Sequence, residues 1–186
     1  DTPGIDMSTG SLGQGVSTAV GMAISAKTFG NDFRVYALLG DGECNEGQIW
    51  EGAMFASHYK LDHLIGFVDL NKQQLDGSCD DVLYMGDMVD KFTAFGWHVQ
   101  KVDGHNVDAV FEAVEAAKAT AGKPSMIILD TVKGHGCPLA ESMFPCHHIA
   151  FKAEDFAPSL QQAEAVLGLG SCHVVTVRPV GGVKLA

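Results

Sequence analysis

Hydrophobic residues in this chain form short continuous runs, separated by stretches in which they recur at helical spacing. The runs lie at residues 34–39, 64–70, 97–102 and 125–132. Short apolar runs bounded by glycine and polar residues are typical of buried strands in a parallel sheet. We therefore predict a strand at each of these four positions.

The stretches between the runs carry apolar residues three and four positions apart, the spacing of amphipathic helices. Strands that alternate with helices imply an α/β fold with a mainly parallel sheet and right-handed crossovers. Residues 71–81 are predicted to be a polar loop with a turn at Asp76-Gly77. The predicted helices are one containing Val16, Val20, Ala23 and Ile24; 48–59, with Trp50, Met54 and Phe55 on one side; 88–95; and one capped by Asn106 in which Val107, Val110, Phe111 and Val114 recur.

Composition indicates one globular domain that does not bind nucleic acid. The chain has 186 residues, of which 46% are hydrophobic and 19% charged, enough to bury one core. Its net charge of −11 offers no basic patch for phosphate backbones. No apolar run approaches the ~20 residues that span a bilayer, and no signal-like segment opens the chain, so we expect no membrane association.

The domain is predicted at residues 1–170, followed by a tail of unknown role at 171–186. Within the tail, residues 174–177 have strand character that Pro179 and the Gly181-Gly182 pair interrupt. No internal repeat or low-complexity tract divides the rest of the chain.

The five cysteines indicate reduced thiols, as in the cytoplasm. Their number is odd, they are well separated, and none forms a CxxC pair. A zinc site built from Cys137, Cys146, His147 and His148 is disfavoured, since only two cysteines lie nearby and no second pair has ligand spacing.

Small oxygen-bearing side chains follow two of the predicted strands. Asp41 lies between Gly40 and Gly42 after the first strand, and Asn71 comes thirty residues later, after the second. Ligands of open α/β sheets bind at this carboxyl edge, and Mg²⁺ is often held there by one or two protein oxygens together with phosphates. The pair predicts a metal-bridged diphosphate. The alternatives are that Asp41 caps the helix beginning near Glu46 and that Asn71 only forms a turn.

These residues and several further blocks resemble the pyrophosphate-binding domain of transketolase, in the order of that family. A GDG followed about thirty residues later by Asn is the thiamine-diphosphate motif of such enzymes. The resemblance covers roughly residues 1–165. The matching blocks are STGSLGQG at 8–15, GDGECNEG at 40–47, DLNKQQLDG at 69–77, FGW at 95–97, DGH at 103–105, KP at 123–124 and TVKGHG at 131–136.

The resemblance implies a three-layer α/β/α thiamine-diphosphate-binding fold and two cofactors, thiamine diphosphate and Mg²⁺, for which Ca²⁺ or Mn²⁺ could substitute. It implies that Asp41, Asn71 and the backbone carbonyl of Gln73 hold the metal. Gly40, Gly42 and Glu43 would contact the cofactor.

Other cofactor contacts are implied at both ends of the matching region. Gly10, Ser11 and Leu12 correspond to a loop that covers the pyrophosphate and the thiazolium, although a simple helix-entry loop would look similar. Lys133 would neutralise the diphosphate, against the alternative of a solvated loop lysine.

Two residues acquire catalytic roles by resemblance. Glu46 corresponds to an acid on a hydrogen-bonded path to the partner subunit's catalytic glutamate; otherwise it is an exposed first-turn glutamate that complements the helix dipole. His147 resembles the histidine that reaches substrate or diphosphate. Cys146 stands where an aromatic is usual, so His148 is an alternative for that place.

Transketolases transfer a two-carbon ketol unit between sugar phosphates and need a pyrimidine-binding domain for which this chain has no room. The chain therefore resembles the amino-terminal subunit of a split transketolase, or a piece of one, that works with a pyrimidine-binding subunit in a dimer or heterotetramer. The alternatives are a deoxyxylulose-phosphate synthase, the α chain of a 2-oxo acid dehydrogenase, an inactive cofactor-binding or assembly subunit, and an unrelated flavodoxin-like protein.

Overall fold

A four-stranded parallel sheet forms the centre of the protein, whose computed structural model describes residues 3–144, 146–148 and 150–167. The strands are β1 (Val35–Gly40), β2 (Leu64–Leu70), β5 (His98–Asp103) and β6 (Ser125–Asp130), with a two-stranded hairpin of β3 (Gln73–Gln74) and β4 (Gly77–Ser78). The strand order in the sheet is β1-β2-β6-β5. The helices are α1 (Gln14–Phe29), α2 (Gly47–His58), α3 (Cys79–Leu83), α4 (Met88–Ala94), α5 (Val107–Ala119), α6 (Pro138–Ser142) and α7 (Ala153–Leu167).

Helices cover both faces of the sheet, which confirms the predicted three-layer α/β/α architecture. On one face α1, α2 and α4 pack over the sheet, with Ile49 and Phe92 at most 1% exposed. On the other face α5 contributes Ala113 and Ala117, which pack against Ile65 and Ile127. Most of the apolar burial that stabilises the domain therefore lies on the α1–α2–α4 side.

The strands end in register, which determines where the functional side chains lie. Gly40 pairs with Asp69, and both Leu70 and Asp103 pair with Asp130. The residues that follow β1, β2 and β6 therefore begin at the same edge of the sheet.

All four predicted strands are present, with small differences in their bounds. The predicted 125–132 strand is shorter because β6 ends at Asp130. The predicted 71–81 loop contains the β3–β4 hairpin and begins α3. The predicted tail at 171–186, including the strand character at 174–177, lies outside the described residues.

The apolar side predicted for α2 is only partly buried, because Trp50 packs against the core while Met54 and Phe55 are exposed. Met54 and Phe55 are 54% and 40% exposed, whereas Ile49, Ala53 and Ala56 are buried. Small residues set this face, because a Cβ added at Gly52 would lie 2.5 Å from Val16 of α1. Close contact between α1 and α2 thus outweighs the burial of larger side chains.

The apolar positions predicted for α5 are also only partly buried. Val107 and Phe111 are 80% and 63% exposed, while the alanines at 113 and 117 face the sheet. Asn106 does cap this helix, since its side-chain oxygen accepts a hydrogen bond from the amide of Ala109 at 3.1 Å.

Among the described residues, none of the helices has the length and hydropathy required to traverse a membrane.

Candidate functional site at the carboxyl edge of the sheet

Asp41 is a buried carboxylate that joins the ends of two strands. The residue is only 2% exposed, and its backbone amide donates to the carbonyl of Asp69 at 3.2 Å. One carboxylate oxygen accepts from the amide of Gly42 at 2.7 Å and the other from the amide of Lys72 at 2.5 Å. These hydrogen bonds fix the carboxylate in position. Each oxygen retains a lone pair, so the carboxylate can still bind a cation.

The alternative interpretation of Asp41 as the cap of α2 does not fit the geometry. Asp41 precedes a short 3₁₀ turn, Gly42–Asn45, and its side chain accepts within that turn. The residue at the N-cap of α2 is Glu46.

Asn71 lies beside Asp41 at the end of the neighbouring strand. Its side-chain amide nitrogen donates to Asp69 at 2.8 Å, and its amide oxygen accepts from the backbone of Gln73 at 3.1 Å. Lys72 between them has a positive φ of 67°, and its backbone amide donates to Asp41. The turn at Asn71 is therefore real, and it also directs polar groups to the site.

The β3–β4 hairpin packs directly against Gly42, next to Asp41, because glycine has no side chain at this position. A Cβ added at Gly42 would lie 2.8 Å from Cβ of Gln74, closer than real contacts allow. The side-chain nitrogen of Gln74 and the side-chain oxygen of Asn45 are buried without a hydrogen-bond partner in the described part of the chain. Buried polar atoms are seldom left unpaired, and a donor such as the Gln74 amide suits a bound anion.

The 10–12 loop, Gly10, Ser11 and Leu12, is exposed. Its side chains make no hydrogen bond to any described residue. The loop is anchored at Gly13, which is buried and has a left-handed φ of 91°.

Glu43 fastens this anchor to the end of β1. Its carboxylate accepts from the amide of Gly13 at 2.8 Å and from the amide of Gly40 at 3.0 Å. Both carboxylate oxygens are engaged by backbone groups. We therefore assign Glu43 a supporting position behind the 10–12 loop, while its predicted contact with a cofactor stays a prediction.

Glu46 is exposed, and its side chain has no hydrogen-bond partner among the described residues. Its Cβ lies close to Gly13, since a Cβ added at Gly13 would be only 2.8 Å from it. The carboxyl group is thus next to the loop anchor and accessible from outside the chain.

The segment after β6 is held by histidines and an acid. His105 accepts from the amide of Val132 at 2.8 Å, and its ring stacks on His135 with 3.7 Å between centroids. Glu141 lies 2.9 Å from His135 and also accepts from Gly136 at 2.9 Å. His105 accordingly shapes the 131–136 segment through these contacts.

Lys133 lies on this segment near Cys79, which in turn contacts Asp41. Burial, together with the neighbouring Asp41, raises the pKa of Cys79 to about 12. The positive charge of Lys133 acts on this pKa in the opposite direction. Lys133 is half-buried and forms no ion pair with any residue that the structure describes. Its charge is therefore available at the same edge.

His147 lies on a segment that reaches the site through its neighbour. The amide of Cys146 donates to the side-chain oxygen of Gln73 at 3.4 Å, and Cys146 is 7% exposed. The rings of His147 and His148 are exposed and 5.2 Å apart. The structure brings this segment to the hairpin but does not distinguish between the two histidines.

Sequence reasoning missed two acidic residues of the edge, Asp69 and Asp130. Asp130 binds Lys72 at 2.5 Å and Lys101 at 3.2 Å, and the hydrogen bond from Lys72 holds its pKa below the ordinary value. Asp69 contacts Asn71 and Thr131. The signal for Asp69 was present, since a carboxylate interrupts the otherwise apolar run 64–70.

No cluster of three or more His, Cys, Asp or Glu side chains suited to a metal occurs in the described ranges. The cysteines at 44, 79, 137 and 146 are free. Asp41 with Asn71 is instead a set of hard oxygen donors of low charge, which fits a Mg²⁺ whose remaining ligands come from phosphate.

Comparison with known proteins identifies a family. Residues 1–176 match the family described as transketolase, thiamine diphosphate binding domain. The chain is 48% identical over 163 residues to the 6-deoxy-6-sulfo-D-fructose transketolase subunit SqwG of Clostridium sp. (strain MSTE9), covering 88% of this chain and 59% of that protein. It is 37% identical over 162 residues to an apulose-4-phosphate transketolase subunit of Phocaeicola vulgatus, covering 87% and 58%.

Solved structures give the same result. A transketolase of Pichia stipitis in complex with sedoheptulose 7-phosphate is similar with a TM-score of 0.79 and 32% identity, over 90% of this chain and 26% of that one. A transketolase of Campylobacter jejuni is similar with a TM-score of 0.77 and 28% identity, over 89% of this chain and 26% of that one. The chain spans about three fifths of the length of the curated relatives it matches.

Proposed function

Because the chain belongs to the transketolase family, through its thiamine diphosphate binding domain, we propose that it acts as the amino-terminal subunit of a split transketolase. In this proposal it binds thiamine diphosphate through Mg²⁺. Together with a pyrimidine-binding subunit it transfers a two-carbon ketol unit from a ketose phosphate to an aldose phosphate. The observation that carries the proposal is the oriented pair of the buried Asp41 and the half-buried Asn71 at one edge of the sheet.

The metal is needed because the protein itself is acidic. With a net charge of −11, the chain would repel a diphosphate unless a cation lay between them. Asp41, Asn71 and the backbone carbonyl of Gln73 would hold Mg²⁺, or Ca²⁺ or Mn²⁺ in its place. Lys133 and the backbone amides of the 10–12 loop would add local positive charge and hydrogen bonds.

Thiamine diphosphate, when bound, supplies the carbon nucleophile of ketol transfer. The residues of this chain would position its diphosphate and exclude water from it. Glu46, exposed beside the loop anchor, is suited to a proton path that continues into a partner protein. His147 would reach substrate or diphosphate from the segment that contacts Gln73.

A partner is part of the proposal, since relatives that are themselves named as subunits extend beyond the region matched here. The pyrimidine-binding subunit would complete the site in a dimer or heterotetramer. A cytoplasmic location is proposed from the free thiols at the four described cysteines.

Reconstitution tests this function. The chain is mixed with the pyrimidine-binding subunit of a split transketolase, thiamine diphosphate and Mg²⁺, and ketol transfer between sugar phosphates is measured. We expect transfer that needs both chains and the metal and that is lost in Asp41→Ala. A synthase-type product from pyruvate would instead favour the deoxyxylulose-phosphate synthase alternative. Complex formation without any transfer would favour an assembly role, and both results would contradict the proposal.

A further inference from the structure

Asp69 contacts three of the segments that meet at the site, yet it is not a proposed ligand. Its backbone carbonyl accepts from the amide of Asp41 at 3.2 Å. One carboxylate oxygen accepts from the side chain of Asn71 at 2.8 Å, and the other accepts from the hydroxyl of Thr131. The residue is half-buried on β2, the strand between β1 and β6.

This contact determines which end of the Asn71 amide faces outward. An ionised carboxylate accepts hydrogen bonds and cannot donate, so the group of Asn71 that meets Asp69 must be the NH₂. The amide oxygen is then turned the other way, where it meets the amide of Gln73 at 3.1 Å. The opposite orientation would set two oxygens against each other at Asp69 and two N–H groups against each other at Gln73.

We propose that Asp69 is a positioning residue that fixes the amide oxygen of Asn71 toward the divalent cation, with Thr131 holding Asp69 in place. The inference rests on the proposed function, because the cation is the one that would bridge the diphosphate. Asp69 acts through Asn71, because its carboxylate accepts from the side-chain NH₂ and so holds the amide of Asn71 in one orientation. Partners of this kind typically change metal affinity about 10- to 100-fold when they are removed.

Exchanging the two side chains provides the sharpest test. Asp69→Ala removes the acceptor and leaves Asn71 free to rotate. Asn71→Asp alone sets two carboxylates against each other. In the double variant Asp69→Asn with Asn71→Asp, the amide at 69 donates to the carboxylate at 71, whose other oxygen faces the cation. Thr131 still donates to the oxygen of residue 69 and the amide of Gln73 to that of residue 71, so every contact is restored and only the bond between 69 and 71 is reversed.

Calorimetry on the full chain measures the affinity for thiamine diphosphate with and without Mg²⁺, and the ratio of the two is the readout. We expect this ratio to fall about 10- to 100-fold in Asp69→Ala and in Asn71→Asp and to recover most of its value in the exchanged pair. The matched control is Asp103→Asn at the end of β5, whose side chain accepts from His105 at 2.9 Å, and its ratio should not change.

A second readout needs no cofactor. In NMR spectra of the apo chain, the side-chain NH₂ of Asn71 should show two well-separated proton signals, one of them shifted by the bond to Asp69. These signals should move together in Asp69→Ala and remain unchanged in Asp103→Asn.

The outcomes separate the inference from the function. An unsubstituted chain without any Mg²⁺-dependent binding would contradict the proposed function, and the inference would fall with it. Normal binding with an unchanged Mg²⁺ ratio in Asp69→Ala, or no recovery in the exchanged pair, would overturn the inference alone. A lower melting temperature with an unchanged ratio would also overturn it, since that is the result of a purely structural role.

Discussion

Two regions are proposed to hold the diphosphate, yet they are built differently. One is the strand-end edge, formed by Asp41, Asn71 and Gln73, and the other is the 10–12 loop. At the edge, hydrogen bonds fix the side chains of Asp41 and Asn71, and the bond from the amide of Lys72 to Asp41 joins the ends of two neighbouring strands. In the loop, the residues are exposed and their side chains bond to nothing in the described part of the chain. Among the residues that the structure describes, the bond from the amide of Gly13 to Glu43 ties the loop to the end of β1.

The difference indicates that the edge positions the metal and that the loop covers the ligand. Metal ligands must converge within tenths of an ångström, and the end of a parallel sheet supplies that precision through its register. A loop that covers a ligand must let it enter, so few contacts in the absence of ligand are expected of it. We expect substitutions at the edge to lower the stability of the fold. Substitutions in the 10–12 loop should leave stability nearly unchanged and should instead change the affinity for the ligand.

The largest effect on stability is expected at the loop anchor. Gly13→Ala would place a Cβ 2.8 Å from that of Glu46 at a φ of 91°. Left-handed strain and the clash together should lower the free energy of unfolding by about 3 kcal/mol, measured by urea denaturation. Gly21→Ala, in the middle of α1 with nothing within 4 Å, is the control and should raise it by about 0.5 kcal/mol. An equal effect of both would contradict the role of Gly13.

A smaller loss is expected at the edge. Gly42→Ala would force Cβ to within 2.8 Å of Gln74 and push the hairpin away from Asp41, at a cost of about 2 kcal/mol in the free energy of unfolding. Gly10→Ala has open space around it and should leave stability nearly unchanged. If Gly10→Ala destabilised the chain as much, the contrast between edge and loop would be wrong.

Glu43→Gln should weaken the attachment of the 10–12 loop to the end of β1. An amide cannot accept from both Gly13 and Gly40 as the carboxylate does, so about 1 kcal/mol of local stability is lost. Hydrogen exchange at the amide of Gly13 should become about fivefold faster, the factor that corresponds to this energy. The control is Glu51→Gln, an exposed residue of α2, and unchanged exchange in Glu43→Gln would count against the anchor.

The smallest effect concerns pH. Lys72 lowers the pKa of Asp130 in the folded state from 3.8, so the pair stabilises the fold above that value. The contribution is lost as pH falls through the folded pKa, below about pH 4. Because the Asp130 side chain is 39% exposed, we expect less than about 1 kcal/mol. In acid titrations of stability, Asp130→Asn should remove this increment and the exposed Asp32→Asn should retain it.

The sheet, and the position of Asp41 and Asn71 at its edge, could be predicted from the sequence for a physical reason. Buried parallel strands are continuous apolar runs, and Asp41 and Asn71 stand where two such runs stop. The faces of α2 and α5 were predicted less well, because packing between α1 and α2 depends on Gly52 and alanines that carry little hydrophobic signal. Asp69 was missed because its role depends on contacts with Thr131, 62 positions away, that pairing of β2 and β6 creates.

The most direct test of the account is a calorimetric titration of the chain with thiamine diphosphate, with and without Mg²⁺, beside Asp41→Ala. Asp103→Asn at the same edge serves as the matched control. The account predicts binding that requires Mg²⁺, persists in the control and disappears in Asp41→Ala. Binding of equal strength without Mg²⁺, or undiminished binding in Asp41→Ala, would contradict it.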